Sequence, residues 1–184
     1  MQYEEVMLKR DCDGIVVPEG SIVHLPAGSR VTITQSLGGS YTVMTSNGRL
    51  VRITDRDTDA LGKEVKTSVR EETHTDSPMT VEYVEHRVWE VLRTCYDPEI
   101  PVNIVELGLV YLCQVKPLPD GYAVEIQVTL TAPGCGMGPA LVSEMEGKIR
   151  GIAGVKEVNV QLVLDPPWNH SMMTEAAKLE LGLL

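Results

Sequence analysis

Cys135 stands in "TAPGCGM" (131–137), flanked by Gly134 and Gly136, behind a proline and directly after a strongly alternating apolar stretch. A thiol so placed can act as a nucleophile or as a soft ligand for a metal or cluster, since both roles use the thiolate. The plainer role is a small hydrophobe in a tight turn. Carboxylates sit in two other proline-marked stretches: Asp97, Glu99 and Glu106 in "DPEIPVNIVELG", and Asp165 in "DPPW", after which His170 follows Trp168. Such groups can complete a metal's ligand set or serve as bases. Asp97 and Asp165, each before a proline, equally suit turn or capping roles. Glu99 and Glu106 equally suit solvated surface, Trp168 a packing plug, and His170 either a base or ligand near the sulfur or a surface residue.

The elements that must position these residues are legible from periodicity. Ser77-Pro78 reads as a helix start, and Val81, Val84, Val88, Val91, Leu92 and Cys95 recur at helical spacing, which makes Cys95 a buried structural thiol. "LVYLCQV" and "YAVEIQVTLT" read as strands around the turn "KPLPDG". In the second, Tyr122, Val124, Ile126, Val128 and Leu130 face one side, and Glu125, Gln127, Thr129 and Thr131 the other. A helix from Pro139 to Arg150 carries Leu141, Met145 and Ile149, a third strand follows as "VKEVNVQLVL", and a last helix spans Ser171 to Glu180.

A short turn makes the first two strands antiparallel, and a helical crossover makes the second and third parallel. "DPEIPVNIVELG", "APGCGMG" and "DPPW" are therefore expected on one rim of a three-stranded mixed sheet, the edge where open α/β sheets bind ligands. The helix behind Cys135 would favour a thiolate through its unpaired N–H groups and dipole.

From Ile15 to Gly62 the pattern changes to four short β-prone runs, "SIVHL", "RVTITQ", "YTVMTS" and "RLVRIT", with Asn47-Gly48 predicting a type I′ hairpin turn. The expected organisation is a small antiparallel four-stranded β module over 1–62, a polar linker over 63–77, and an α/β domain over 78–184. Such a module is marginal alone, so it is expected to dock on a neighbour or within an oligomer.

The formal charge of −10 is uneven: residues 1–70 hold nine basic and nine acidic side chains, residues 71–184 seven against seventeen. An acidic domain without a Lys/Arg cluster repels phosphate backbones, which excludes nucleic acid and anionic membrane as expected partners. No apolar run approaches the roughly 20 residues that span a bilayer. The four cysteines show no CxxC pair, and "MQYEEVMLKRDCDG" has no apolar signal core, so reduced thiols in the cytoplasm are expected.

"DPEIPVNIVELGLVY", "VTLTAPGCGMG" and "LVLDPPWNHSMMTEAAKLELGL" together resemble the small metal–sulfur cluster assembly domain of SufT, PaaD-like proteins and eukaryotic cytosolic iron–sulfur targeting factors. The resemblance covers about residues 80–184. "ITQSLGGSYTV" and "DTDALG" resemble the extra module of SufT proteins. The resemblance implies a non-enzymatic auxiliary factor in iron–sulfur protein maturation, with Cys135 at the family's functional cysteine, Asp97 and Glu99 in its acidic loop, and Thr129 and Thr131 at its Thr-rich strand end. The implied cargo is a transient iron–sulfur cluster or iron, and the implied partners are the assembly machinery and client apo-proteins. One cysteine cannot complete a cluster's usual four-thiolate set, so a Cys135-facing homodimer, carboxylates such as Asp97 and Glu99, a client or a small thiol must add ligands. Two other functions fit the residues: a thiol enzyme with His170 or Glu106 as base, and an adaptor whose β module recruits a partner.

Overall fold

The computed structural model describes residues 4–64, 79–97 and 99–183. By its internal contacts the chain divides into two compact units, residues 1–68 with 135–140, and residues 69–134 with 141–184.

The first unit is built on six strands rather than the expected four: β1 (Glu4–Met7), β2 (Cys12–Val16), β3 (Ile22–Leu25), β4 (Arg30–Leu37), β5 (Ser40–Thr45) and β6 (Leu50–Ile53). They pair antiparallel in the order β1-β4-β5-β6-β2-β3, and a 3-10 helix follows at Asp55–Leu61. The two extra strands were hidden for different reasons. β1, "EEVM", is mostly exposed and holds its place through backbone pairing with β4, from Glu4↔Ile33 to Met7↔Arg30. β2 contains Gly14, which weakens a strand pattern; the missing side chain is required, because a Cβ there would meet Val51 Cγ1 at 2.2 Å.

The hairpin at Asn47-Gly48 forms, but not with the type I′ turn. Gly48 has φ +80° while no non-glycine residue has positive φ among the described residues. The Gly48 N–H instead donates to Thr45 O (2.9 Å), and Arg49 N–H to the same residue's hydroxyl oxygen (3.2 Å). This is the three-residue solution, a turn closed by a left-handed glycine. Val31, Val43, Val51 and Ile53 lie at the centre of this unit's aliphatic core.

In the second unit, helix α1 (Val81–Leu92) starts after Thr80, whose hydroxyl accepts the Tyr83 N–H (3.2 Å). Ser77 and Pro78 lie outside the described residues. Its buried positions, Val84, Val88, Val91 and Leu92, followed by Cys95, are those the helical spacing marks. Strands β7 (Val110–Leu118), β8 (Gly121–Val128) and β9 (Val155–Leu162) form the mixed sheet, β7–β8 antiparallel and β8–β9 parallel. The crossover helix α2 (Gly138–Arg150) buries Leu141, Met145 and Ile149, one residue per turn. Val124, Ile126, Val128 and Leu130 are buried.

Thr129, expected on the polar face, is buried as well, because the chain has left the strand and its N–H donates to Leu109 O (2.9 Å). Lys148 and Glu144 pair at 2.9 Å with both side chains under a tenth exposed, and Lys148 Nζ also donates to Thr94 O (3.1 Å). That ties α2 to the end of α1.

The expected last helix is broken in two. A 3-10 turn (His170–Met172) precedes α3 (Glu175–Glu180), and the residues between are extended. The Thr174 hydroxyl accepts the Ala177 N–H (3.2 Å), and a capping residue must leave helical geometry to do so. Among the described residues no helix is long and apolar enough to cross a membrane.

Candidate functional site

The loop from Cys95 to Leu109 is built around two side chains that replace missing backbone partners. Asp97 is only 4% exposed; its Oδ1 accepts the N–H groups of Glu99 (2.9 Å) and Ile100 (3.0 Å). Its Oδ2 accepts the Thr131 hydroxyl (3.2 Å), which ties this loop to the chain leaving β8. Charge-assisted bonds of this kind satisfy a buried carboxylate without a cation. Asn103 does similar work six residues on, its Oδ1 accepting Val105 N–H (3.1 Å) and Glu106 N–H (3.0 Å). Sequence reasoning passed over Asn103, although asparagine ahead of a turn is a capping signal. Glu99 is exposed.

The C-terminal segment crosses the same loop. The Trp168 indole N–H donates to Leu107 O (2.7 Å), Thr174 N–H to Glu106 O (2.9 Å), and the Thr174 hydroxyl to Glu106 Oε2 (2.5 Å). Gly108, at φ +70°, lets the strap approach: a Cβ there would meet Met172 O at 2.2 Å. Tyr111, also missed from the sequence, donates its hydroxyl to Pro166 O (2.8 Å). Trp168 and Glu106 thus hold the strap down. His170 packs its ring edge-on to Trp168, with centroids 5.2 Å apart, and Asp165 is exposed, joined to Pro166 by a cis peptide.

Cys135 follows Thr131 by four residues, after Gly134 at φ +87°. Its carbonyl accepts the Gly138 N–H (3.2 Å) at the start of α2, and its side chain is a partly exposed free thiol. Among the described residues no hydrogen bond or ion pair engages that sulfur. The other three cysteines differ. Cys12 and Cys95 are buried, and Cys95 Sγ donates to Val91 O (3.7 Å). Burial, and then the nearby Glu85 carboxylate, push the Cys113 thiol up to about 12; burial likewise raises Cys12.

Among the described residues no three His, Cys, Asp or Glu side chains gather as a metal cage. A resident iron or cluster, which usually needs four thiolates or equivalents, does not fit this donor set.

Residues 85–162, from within α1 to the end of β9, match the model of a family described as iron-sulfur cluster assembly protein. A relative from Porphyromonas gingivalis, named Fe-S protein maturation auxiliary factor, is 44% identical over 100 residues, covering 54% of this chain and 92% of its own. The chain belongs to the iron–sulfur cluster assembly protein family. Another member, the Staphylococcus aureus Fe-S protein maturation auxiliary factor SufT, is 37% identical over 87 residues, covering 47% of this chain and 96% of its own. A crystal structure of a domain of unknown function from Bacillus anthracis aligns with TM-score 0.50 at 33% identity, over 56% of this chain and 95% of that one. Within this family assignment, Asp97, Glu99, Glu106, Thr129, Thr131 and Cys135 fall inside the matched stretch; Asp165, Trp168, His170 and the six-stranded sheet fall outside it.

Proposed function

We propose that this member of the family is an auxiliary factor that assists assembly of iron–sulfur clusters or their insertion into client apo-proteins, with Cys135 as a labile ligand to cluster or iron in transit. One observation carries the reading: in the family-matched stretch, a partly exposed thiol stands with its sulfur unengaged, while the carboxylates of Asp97 and Glu106 in the same stretch are committed to hydrogen bonds. The names of the relatives from P. gingivalis and S. aureus support the same role. A single thiolate suits handover better than storage, since the remaining ligands must come from outside the chain. A second copy with its own Cys135, a client thiol or a small thiol would supply them. On this reading the cluster is cargo, the partners are the assembly machinery and apo-proteins in the cytoplasm, and residues 1–62 form a β module joined by a 63–77 linker to the 78–184 domain that acts on cargo.

The thiol-enzyme reading has less support, because a nucleophile needs a base within hydrogen-bond reach. Glu106 accepts from Thr174, and the His170 ring packs on Trp168. The test is anaerobic reconstitution with iron and sulfide, comparing wild type with Cys135→Ala by visible absorption and iron content. The wild type is expected to retain labile iron and to pass it to an apo-client, and the variant to do neither. Equal iron in both would remove Cys135 from the role.

A further inference from the structure

A cleft of about 170 Å³ opens in the first unit between β3, the start of β4 and the β5–β6 turn. Its floor is apolar, made by the buried Leu25, Val31 and Val51. Its rim carries Arg30 and Arg49 and no carboxylate. It lies in the part of the chain outside the acidic surplus, where residues 1–70 hold nine basic and nine acidic side chains. Arg30 Nε lies 3.3 Å from Glu5 Oε1, but both side chains are more than half exposed, so this is a solvated pair that a better-placed anion displaces. The Arg49 guanidinium makes no ion pair among the described residues. Asp13, which holds His24 Nδ1 at 2.9 Å, is not part of the lining.

The cleft adjoins a sheet edge that no other strand covers among the described residues. β3 ends the strand order, and its inner side pairs with β2 in the register Cys12↔Leu25 to Ile15↔Ile22. The Val16 N–H donates to Ser21 O (2.8 Å). Bonded and non-bonded pairs alternate along an antiparallel ladder, so Val23 and Leu25 turn their backbone groups to β2, and Ile22 and His24 turn theirs outward. Ile22 is 77% exposed. An open edge of this kind is a template for another strand.

We propose that the β3 edge and its cleft bind an extended acidic segment of a partner protein. The segment pairs with the outward backbone groups of Ile22 and His24, sets carboxylates against Arg30 and Arg49, and seats an apolar side chain on Leu25, Val31 and Val51. Strand addition supplies the backbone bonds, and the cleft supplies the choice of side chains. The volume also argues for a peptide: small-molecule sites usually run to about 300–1,000 Å³, whereas this one suits a side chain.

The test uses the whole chain and a fluorescein-labelled peptide of alternating valine and glutamate, with a valine–lysine peptide as the opposite-charge probe. Anisotropy is expected to show binding of the first and not the second, with amide shifts at 22–25 in NMR spectra. Arg49→Gln should weaken binding several-fold and Arg49→Glu by about tenfold or more. Ile22→Pro, which removes an outward N–H and leaves the β2 ladder intact, should weaken it too; thermal melts check that each variant is folded. Equal binding of the lysine peptide, unchanged affinity in folded Arg49→Gln, or unmoved β3 amides would overturn the proposal. So would saturation by inorganic phosphate with no peptide preference, which would make the cleft a small-anion site. Cys135→Ala should bind the peptide normally, so this test stands apart from that of cluster handling.

Discussion

The loops at 95–109 and 131–137 both follow a secondary-structure element, both contain proline, and both carry residues that invite a chemical reading. They use those residues differently. In the first, Asp97 spends one oxygen on two backbone N–H groups and the other on Thr131, Asn103 caps the next turn, and Glu106 holds the C-terminal strap. In the second, two glycines and a proline shape the backbone, and the cysteine sulfur has no task in holding it. A functional group already consumed by its own loop has little left to offer a ligand. The contrast separates residues that build their own loop from one whose side chain is left free.

The largest test of this contrast is Asp97→Ala. It leaves two N–H groups of a part-buried turn without an acceptor and frees the Thr131 hydroxyl, and each group left unsatisfied away from water costs about 1–3 kcal/mol. The expected loss is about 2–4 kcal/mol in urea unfolding. Asp97→Asn, which keeps an acceptor oxygen, should lose less. If Asp97→Ala unfolds at the wild-type midpoint yet loses cargo transfer, Asp97 is a ligand rather than a builder, and the contrast between the loops collapses.

A smaller effect is expected at Cys113, the thiol most unlike Cys135. Burial, reinforced by Glu85, raises its folded value from 9.0 to about 12. Between those values the unfolded chain releases the proton and the folded chain keeps it, so stability should fall as pH rises from about 9 towards 12. Cys113→Val should flatten that part of the stability curve, measured by urea unfolding at several pH values, with little change at pH 7. An unchanged slope would place the alkaline loss elsewhere.

The α/β half was largely legible because its determinants are periodic: the stripe from Val84 to Cys95, the alternation from Val124 to Leu130, and Leu141, Met145 and Ile149 on α2 each appear as written in the chain. What escaped was set by single contacts between residues distant in sequence. β1 has no strand pattern of its own and exists because β4 offers it an edge. Gly14 looks like a strand breaker until Val51 fills its place. The break before α3 depends on Thr174 serving both Ala177 and Glu106, 68 residues away. At the candidate site the residue types were visible, but whether Asp97, Glu106 and Trp168 faced a ligand or their own backbone was not, because Leu107, Thr131 and Thr174 decide it.

The smallest effect on stability belongs to Cys135. Its side chain is partly exposed and makes no bond, so Cys135→Ala should change unfolding free energy by no more than about 0.5 kcal/mol, as at surface positions without a structural task. Reactivity should run the other way. With a thiol-specific disulfide reagent at pH 8, the native chain should label at Cys135, because Cys12 and Cys95 are buried and Cys113 is held as a thiol. The other three should react on addition of denaturant. A native Cys135→Ala that still labels fast at one site would mean that another cysteine opens to solvent. A Cys135→Ala that loses 2 kcal/mol or more, about what buried positions lose, would mean that the sulfur packs after all. Either result would erase the difference between the loops, whereas a silent melt, lost labelling and lost cargo transfer together would confine the function to one sulfur atom.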